Sequence, residues 1–101
     1  MVTRSTCNIA WQFTDATHTT AFFWADAGER KRAYKLAQGD KTFRPQRRRT
    51  GYEARYVLAQ DEQTMEAFDE FVSQLLHAGW EELLEKGSYW WNRSFRHAIV
   101  V

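Results

Sequence analysis

Only one segment of this chain repeats its apolar residues with a helical period, and what lies on either side of it alternates with the period of a strand. Met65, Phe68, Phe71, Val72, Leu75 and Leu76 recur at intervals of three and four, while Glu62, Glu66, Asp69, Glu70 and Gln74 fill the remaining positions. That spacing predicts an amphipathic helix of about four to five turns with an acidic outer face. Asp61 or Thr64 can cap its start, acids crowd the first turns where the helix dipole favours them, and His77 with Gly79 marks its end. A lone helix must bury its apolar stripe against some other layer, and strands are the only material available.

The first strand is predicted from Thr6 to Phe13, where Cys7, Ile9, Trp11 and Phe13 alternate with Asn8 and Gln12. Asp15-Ala16-Thr17 supplies turn chemistry, and Thr19 to Ala25, β-branched then aromatic, returns as a second strand closed by Asp26-Ala27-Gly28-Glu29. A third strand is expected from about Arg32 to Ala37, with Tyr34 and Leu36 on one side. Gln38-Gly39-Asp40-Lys41 reads as a turn, and Thr42-Phe43-Arg44 is ended by Pro45, which has no N–H for a ladder. Arg47-Arg48-Arg49-Thr50-Gly51 is expected as an exposed loop. Tyr52 to Leu58 is either a fourth strand, with Tyr52, Ala54, Tyr56 and Leu58 on one face, or an irregular lead-in to the helix. After Gly79, Trp80 to Leu84 forms a short segment, Glu85 to Ser88 turns, and Tyr89 to Ile99 runs as a long last strand. On it Tyr89, Trp91, Phe95 and Ile99 would face the helix and Asn92, Ser94 and Arg96 water; Arg93 is an inward exception expected to pair with a helix carboxylate. The fold class is therefore α+β: an antiparallel sheet of about four to six strands with one amphipathic helix packed on one face, a single domain over residues 1–101.

These residues resemble an uncharacterised family of small bacterial single-domain proteins. The resemblance is carried by Cys7-x-Ile9-x-Trp11 at the start, Leu36-Ala37 with Phe43-Arg44 in the middle, and Leu75-x-x-x-Gly79-Trp80-Glu81 with Gly87, Trp90, Trp91 and Phe95-Arg96 at the end. It implies one compact domain and no activity, so no residue role is carried over. The Arg47-Arg48-Arg49 stretch departs from that pattern.

Composition matters mainly for what it excludes. Aromatic residues are 16% of the chain, far too many for a disordered segment. The longest apolar runs are a few residues, well short of the roughly 18 that span a bilayer, and Met1 to Thr6 offers no hydrophobic signal region, so a cytoplasmic location is expected. A net charge of +1 hides a strong asymmetry: residues 1–29 carry −2, residues 30–55 carry +8 and residues 56–101 carry −5. The middle block either neutralises the acidic helix or offers an anionic partner several cations together.

Catalytic chemistry has little support. Cys7 sits among apolar neighbours, where a thiol is held protonated, and reads as buried structure. His18, His77 and His97 have no spacing typical of metal ligands, and neither a metal nor a cofactor is expected. Glu66, Asp69 and Glu70, like Glu81, Glu82 and Glu85, belong to solvated faces. The five glycines are isolated and make no phosphate loop. Asn92-Arg93-Ser94 is a glycosylation sequon only in a secreted protein. Sixteen aromatic rings exceed what one helix on one sheet needs, and some are expected on the surface.

The functional expectation is a non-enzymatic, cytoplasmic interaction module that binds nucleic acid or an acidic protein surface. Arg44, Arg47, Arg48, Arg49, Tyr52 and Arg55 are its candidate anion-binding residues, and Trp24 and Trp90 its candidate interface aromatics. Two rivals stand beside it. One is a self-associating adaptor, a homo-oligomer formed through exposed aromatics; the other is a small-ligand or catalytic domain with a pocket between helix and sheet.

Overall fold

A computed structural model of the chain describes residues 2–27, 35–51 and 53–100. Strands β1 (Val2–Phe13), β2 (Ala21–Asp26), β3 (Lys35–Phe43), β4 (Gln46–Thr50) and β5 (Glu53–Val57) come first, then helix α1 (Glu62–His77), then β6 (Glu81–Lys86) and β7 (Arg93–Val100). Five strands form one antiparallel sheet in the order β3-β2-β1-β7-β6, and β4 and β5 form a separate two-stranded ribbon. This is the α+β architecture expected from the sequence, with one helix against a five-stranded sheet. No helix among the described residues is long and apolar enough to cross a membrane.

The period-two pattern does the sorting. The register sets Cys7 beside Phe95, Ile9 beside Ala25 and Trp11 beside Phe23, which brings the odd positions of β1 to the helix side. Ala67, Phe68, Phe71, Val72 and Leu75 of α1 come down on this face, and Phe23, Phe43, Phe68, Phe71 and Phe95 lie at the centre of the core. Phe23 stacks on Phe43 with ring centroids 4.4 Å apart and meets the edge of Phe68 at 5.2 Å. Such ring pairs add about 0.5–1.5 kcal/mol each beyond the area they bury. Asp61 caps α1 by accepting the Thr64 N–H at 2.8 Å. At the other end the Trp80 N–H reaches the Leu75 carbonyl and the Gly79 N–H the Leu76 carbonyl, a Schellman closure.

Several expectations are corrected. β3 continues through Gln38-Gly39-Asp40-Lys41, where a turn was expected, with a shift of register against β2 between Gln38 and Thr42. Gly39 is buried, and a Cβ there would lie 3.4 Å from Phe71 Cδ1 and 3.3 Å from the Phe23 carbonyl oxygen. The glycine marks a close approach of helix to strand. Arg47 to Thr50, expected as a loop, lie in β4, and of the two readings of residues 52–58 the strand is found, as β5. In β4, Gln46, Arg47, Arg48 and Arg49 are all exposed and offer no apolar alternation by which to announce a strand. The last strand begins at Arg93, and residues 87–92 form a turn in which the Gly87 N–H donates to the Asn92 carbonyl and the Asn92 N–H to that of Tyr89. Tyr89 is therefore 62% exposed and does not face the helix. Arg93 does turn inward, its guanidinium 5.3 Å from the Phe68 ring centroid, but its carboxylate partner is Glu82 of β6 and not a helix residue. Leu36 and Leu76 are exposed. Tyr34 and Tyr52, and the side chain of Ile99, lie outside the described residues.

Candidate functional site

The site builds up from the ribbon. Pro45 separates β3 from β4, and β4 and β5 then pair mainly with each other, leaving a hairpin that stands off the body of a molecule 53 Å long and 29 by 26 Å across. The register places Arg48 opposite Arg55 and Arg47 opposite Tyr56. A solitary hairpin is marginal in water, so this one needs an anchor at its base. The Tyr56 ring packs edge-on against Phe13 at 4.9 Å and against His18 at 5.9 Å. His18 itself stacks on Phe13 at 4.6 Å from a left-handed backbone conformation, φ 55°. Just beyond β5, the Trp90 indole Nε1–H donates to the carbonyl of buried Leu58 at 2.8 Å.

The charge on the ribbon is not spent on the acidic helix. That role belongs to Lys41 of β3, whose ammonium lies 2.6 Å from Glu66 and 2.9 Å from Glu70. The two carboxylates push the lysine pKa up, and the hydrogen bond from Lys41 holds the Glu66 carboxyl below its usual range. Glu82 is likewise lowered by the hydrogen bond from Arg93, and Glu81 meets Arg96 at 3.3 Å. Arg44, Arg47, Arg48 and Arg49 are all exposed and make no ion pair with another described residue.

At the foot of the ribbon lies a groove of about 420 Å³. Trp11 of β1, Arg55, Tyr56 and Val57 of β5, the following Leu58, and Tyr89, Trp90 and Trp91 of the β6–β7 turn line it. Tyr89 and Trp91 lie parallel, 3° between planes and 5.3 Å between centroids. Trp90 is half-buried and presses edge-on against Phe68 of α1 at 5.0 Å. The groove is thus walled by five aromatic rings, and one arginine borders it.

The structure brings together Arg44, Arg47, Arg48, Arg49 and Arg55 on or beside the ribbon, and sets Trp90 at its base. It separates Trp24 from them. That residue belongs to the sheet face away from α1, beside Phe22, with the Lys35 ammonium 4.9 Å from the Phe22 ring and 5.4 Å from the Trp24 ring. Tyr52 lies outside the described residues. Sequence reasoning missed Trp11, Tyr56, Tyr89 and Trp91 as groove residues. The alternation places Trp11, Tyr89 and Trp91 on the helix-facing side; the signal for Tyr89 is the turn formers Gly87, Ser88 and Asn92 around Tyr89-Trp90-Trp91, and Tyr56 has none.

Other chemical groups stand apart. Cys7 is buried and its thiol pKa is pushed up to about 11, by burial first and then by the charge of Asp26. Among the described residues no three His, Cys, Asp or Glu side chains gather as a metal site. No family model matches the chain, and no curated protein or solved structure matches it.

Proposed function

We propose that this domain is a cytoplasmic, non-catalytic module that binds nucleic acid through the phosphate backbone, using the β4–β5 ribbon as its contact arm. The observation that carries the reading is the division of charge. Lys41 meets the carboxylates of α1, while Arg44, Arg47, Arg48 and Arg49 stay exposed and make no ion pair with described residues. Arginine suits this use, because its planar fork takes phosphate oxygens in pairs and never loses its charge.

The test is binding of labelled oligonucleotides by fluorescence anisotropy at about 50 and 200 mM salt, with and without Arg47→Ala, Arg48→Ala and Arg49→Ala together. Binding that weakens steeply with salt, and that becomes much weaker and less salt-dependent in the triple variant, supports the proposal. No binding at the lower salt refutes it, and salt-sensitive binding to an acidic protein in its place moves the arm to that class of partner. A second reading, self-association, is favoured by Leu84, 98% exposed on the edge strand β6. Light scattering on the same samples decides it by the mass of the free protein.

A further inference from the structure

We infer that the aromatic groove at the foot of the ribbon is a base-stacking site, and that the nucleic acid held by the arginines is therefore single-stranded. The inference rests on the proposed backbone binding and specifies its substrate class. In a duplex every base has both faces covered by its neighbours, and an aromatic groove in the protein gains nothing from it. In a single strand the bases turn outward, and each stacks on whatever flat ring is offered.

The geometry suits such a base on three counts. The rings are accessible: Tyr89 is 62% exposed and Trp91 is half-buried, so a face can be covered further. They are also rigidly set. Tyr89 and Trp91 are held parallel, the Asn92 side-chain oxygen accepts the Tyr89 N–H at 3.0 Å, and Trp90 is fixed by Leu58 and Phe68. A ring already held in place loses little freedom when a ligand arrives. Finally, the groove and the cations are continuous. Arg55 and Tyr56 line the groove, and their cross-strand partners on β4 are Arg48 and Arg47. A strand with one base in the groove meets arginine at the next position along either face of the ribbon, so charge complementarity selects a polyanion over an uncharged sugar or a peptide. At about 420 Å³ the groove falls in the lower part of the range of roughly 300–1,000 Å³ for small-ligand sites, fit for a nucleotide's base and not for a folded partner.

The experiment uses the full chain with three oligomers of equal length: a single strand, the same strand as duplex, and a single strand of abasic sugar-phosphate that matches the first in charge. Anisotropy gives affinity, and quenching of intrinsic tryptophan fluorescence reports contact with indoles, of which Trp11, Trp90 and Trp91 line the groove. Expected are quenching by the intact single strand alone, and tighter binding of it than of the abasic strand by about 5- to 150-fold per stacked base. Tyr89→Ala, a change at an exposed side chain, should remove that advantage and leave duplex and abasic binding unchanged. If the abasic and intact strands bind equally, with binding and its salt dependence sharply reduced in the triple arginine variant, the groove inference is overturned and the backbone reading stands. If none of the three binds, both fall.

Discussion

Replacing Trp90 with Phe isolates the tie between the ribbon and the body. In the native chain the indole does two things: its N–H satisfies the Leu58 carbonyl at 2.8 Å, and its ring packs edge-on against Phe68 at 5.0 Å. Phenylalanine keeps a ring in the pocket and removes the donor. The carbonyl of Leu58, a residue 9% exposed, then loses its partner, and an orphaned buried acceptor costs about 1–3 kcal/mol. Because the new ring retains part of the contact with Phe68, we expect Trp90→Phe to lose about 1–2 kcal/mol. For a domain of this size that is a fall in Tm of roughly 5–15 °C. Trp90→Ala also removes the ring and should cost about 3–5 kcal/mol. Urea denaturation followed by far-UV circular dichroism measures both. A Trp90→Phe protein within about 0.5 kcal/mol of wild type would refute the reasoning, since it would mean that the carbonyl needs no protein donor and that Trp90 is not what fixes the chain entering α1.

Gly79 sits at φ 95°, and a Cβ there would come within 2.7 Å of the His97 ring nitrogen, so Gly79→Ala should destabilise by more than about 1 kcal/mol, seen as a lower urea midpoint. Stability should also fall in acid. The Glu82 carboxyl is held below its ordinary value of 4.5 by Arg93, so its contribution is present above that value and is lost as the pH drops through the lowered one. Urea midpoints at pH 7 and about pH 3 should therefore differ less in Glu82→Gln than in wild type; an equal difference would refute the pairing.

How much of this was legible in the sequence follows from what imposes a pattern on a chain. Elements that bury one face announced themselves, as in the alternation of Cys7, Ile9 and Trp11 and the three-and-four spacing from Met65 to Leu75. Caps with a defined hydrogen-bond role, Asp61 and Gly79, were legible for the same reason. Strand β4 was not, because its exposed arginines carry no periodic signal and mimic a loop, whereas β5 was one of two readings left open for residues 52–58. Gly39 misled because a glycine that opens space for a helix looks the same in sequence as one that turns a chain. The basic residues of the candidate site were visible as a charge block, whereas of its aromatic half only Trp90 was singled out. Trp11, Tyr56 and Tyr89 are far apart in the chain, and only the closure of the β6–β7 turn onto the foot of the ribbon brings them together. The exchange of partners between Lys41 and the arginines was likewise invisible, since a charge count cannot say which cation meets which acid.

The central claim is that the ribbon arginines meet phosphate, and the dependence of affinity on salt tests it most directly. Each phosphate neutralised on a single strand contributes about −0.7 to the slope of log affinity against log salt. Four contacts, from Arg44, Arg47, Arg48 and Arg49, give a slope near −2.8, which is about a 50-fold loss of affinity between 50 and 200 mM salt. With Arg47, Arg48 and Arg49 changed to Ala the slope should shrink to about −0.7 and the loss to about threefold. An unchanged slope in the triple variant would contradict the account, because the cations that release counterions would then lie elsewhere on the molecule.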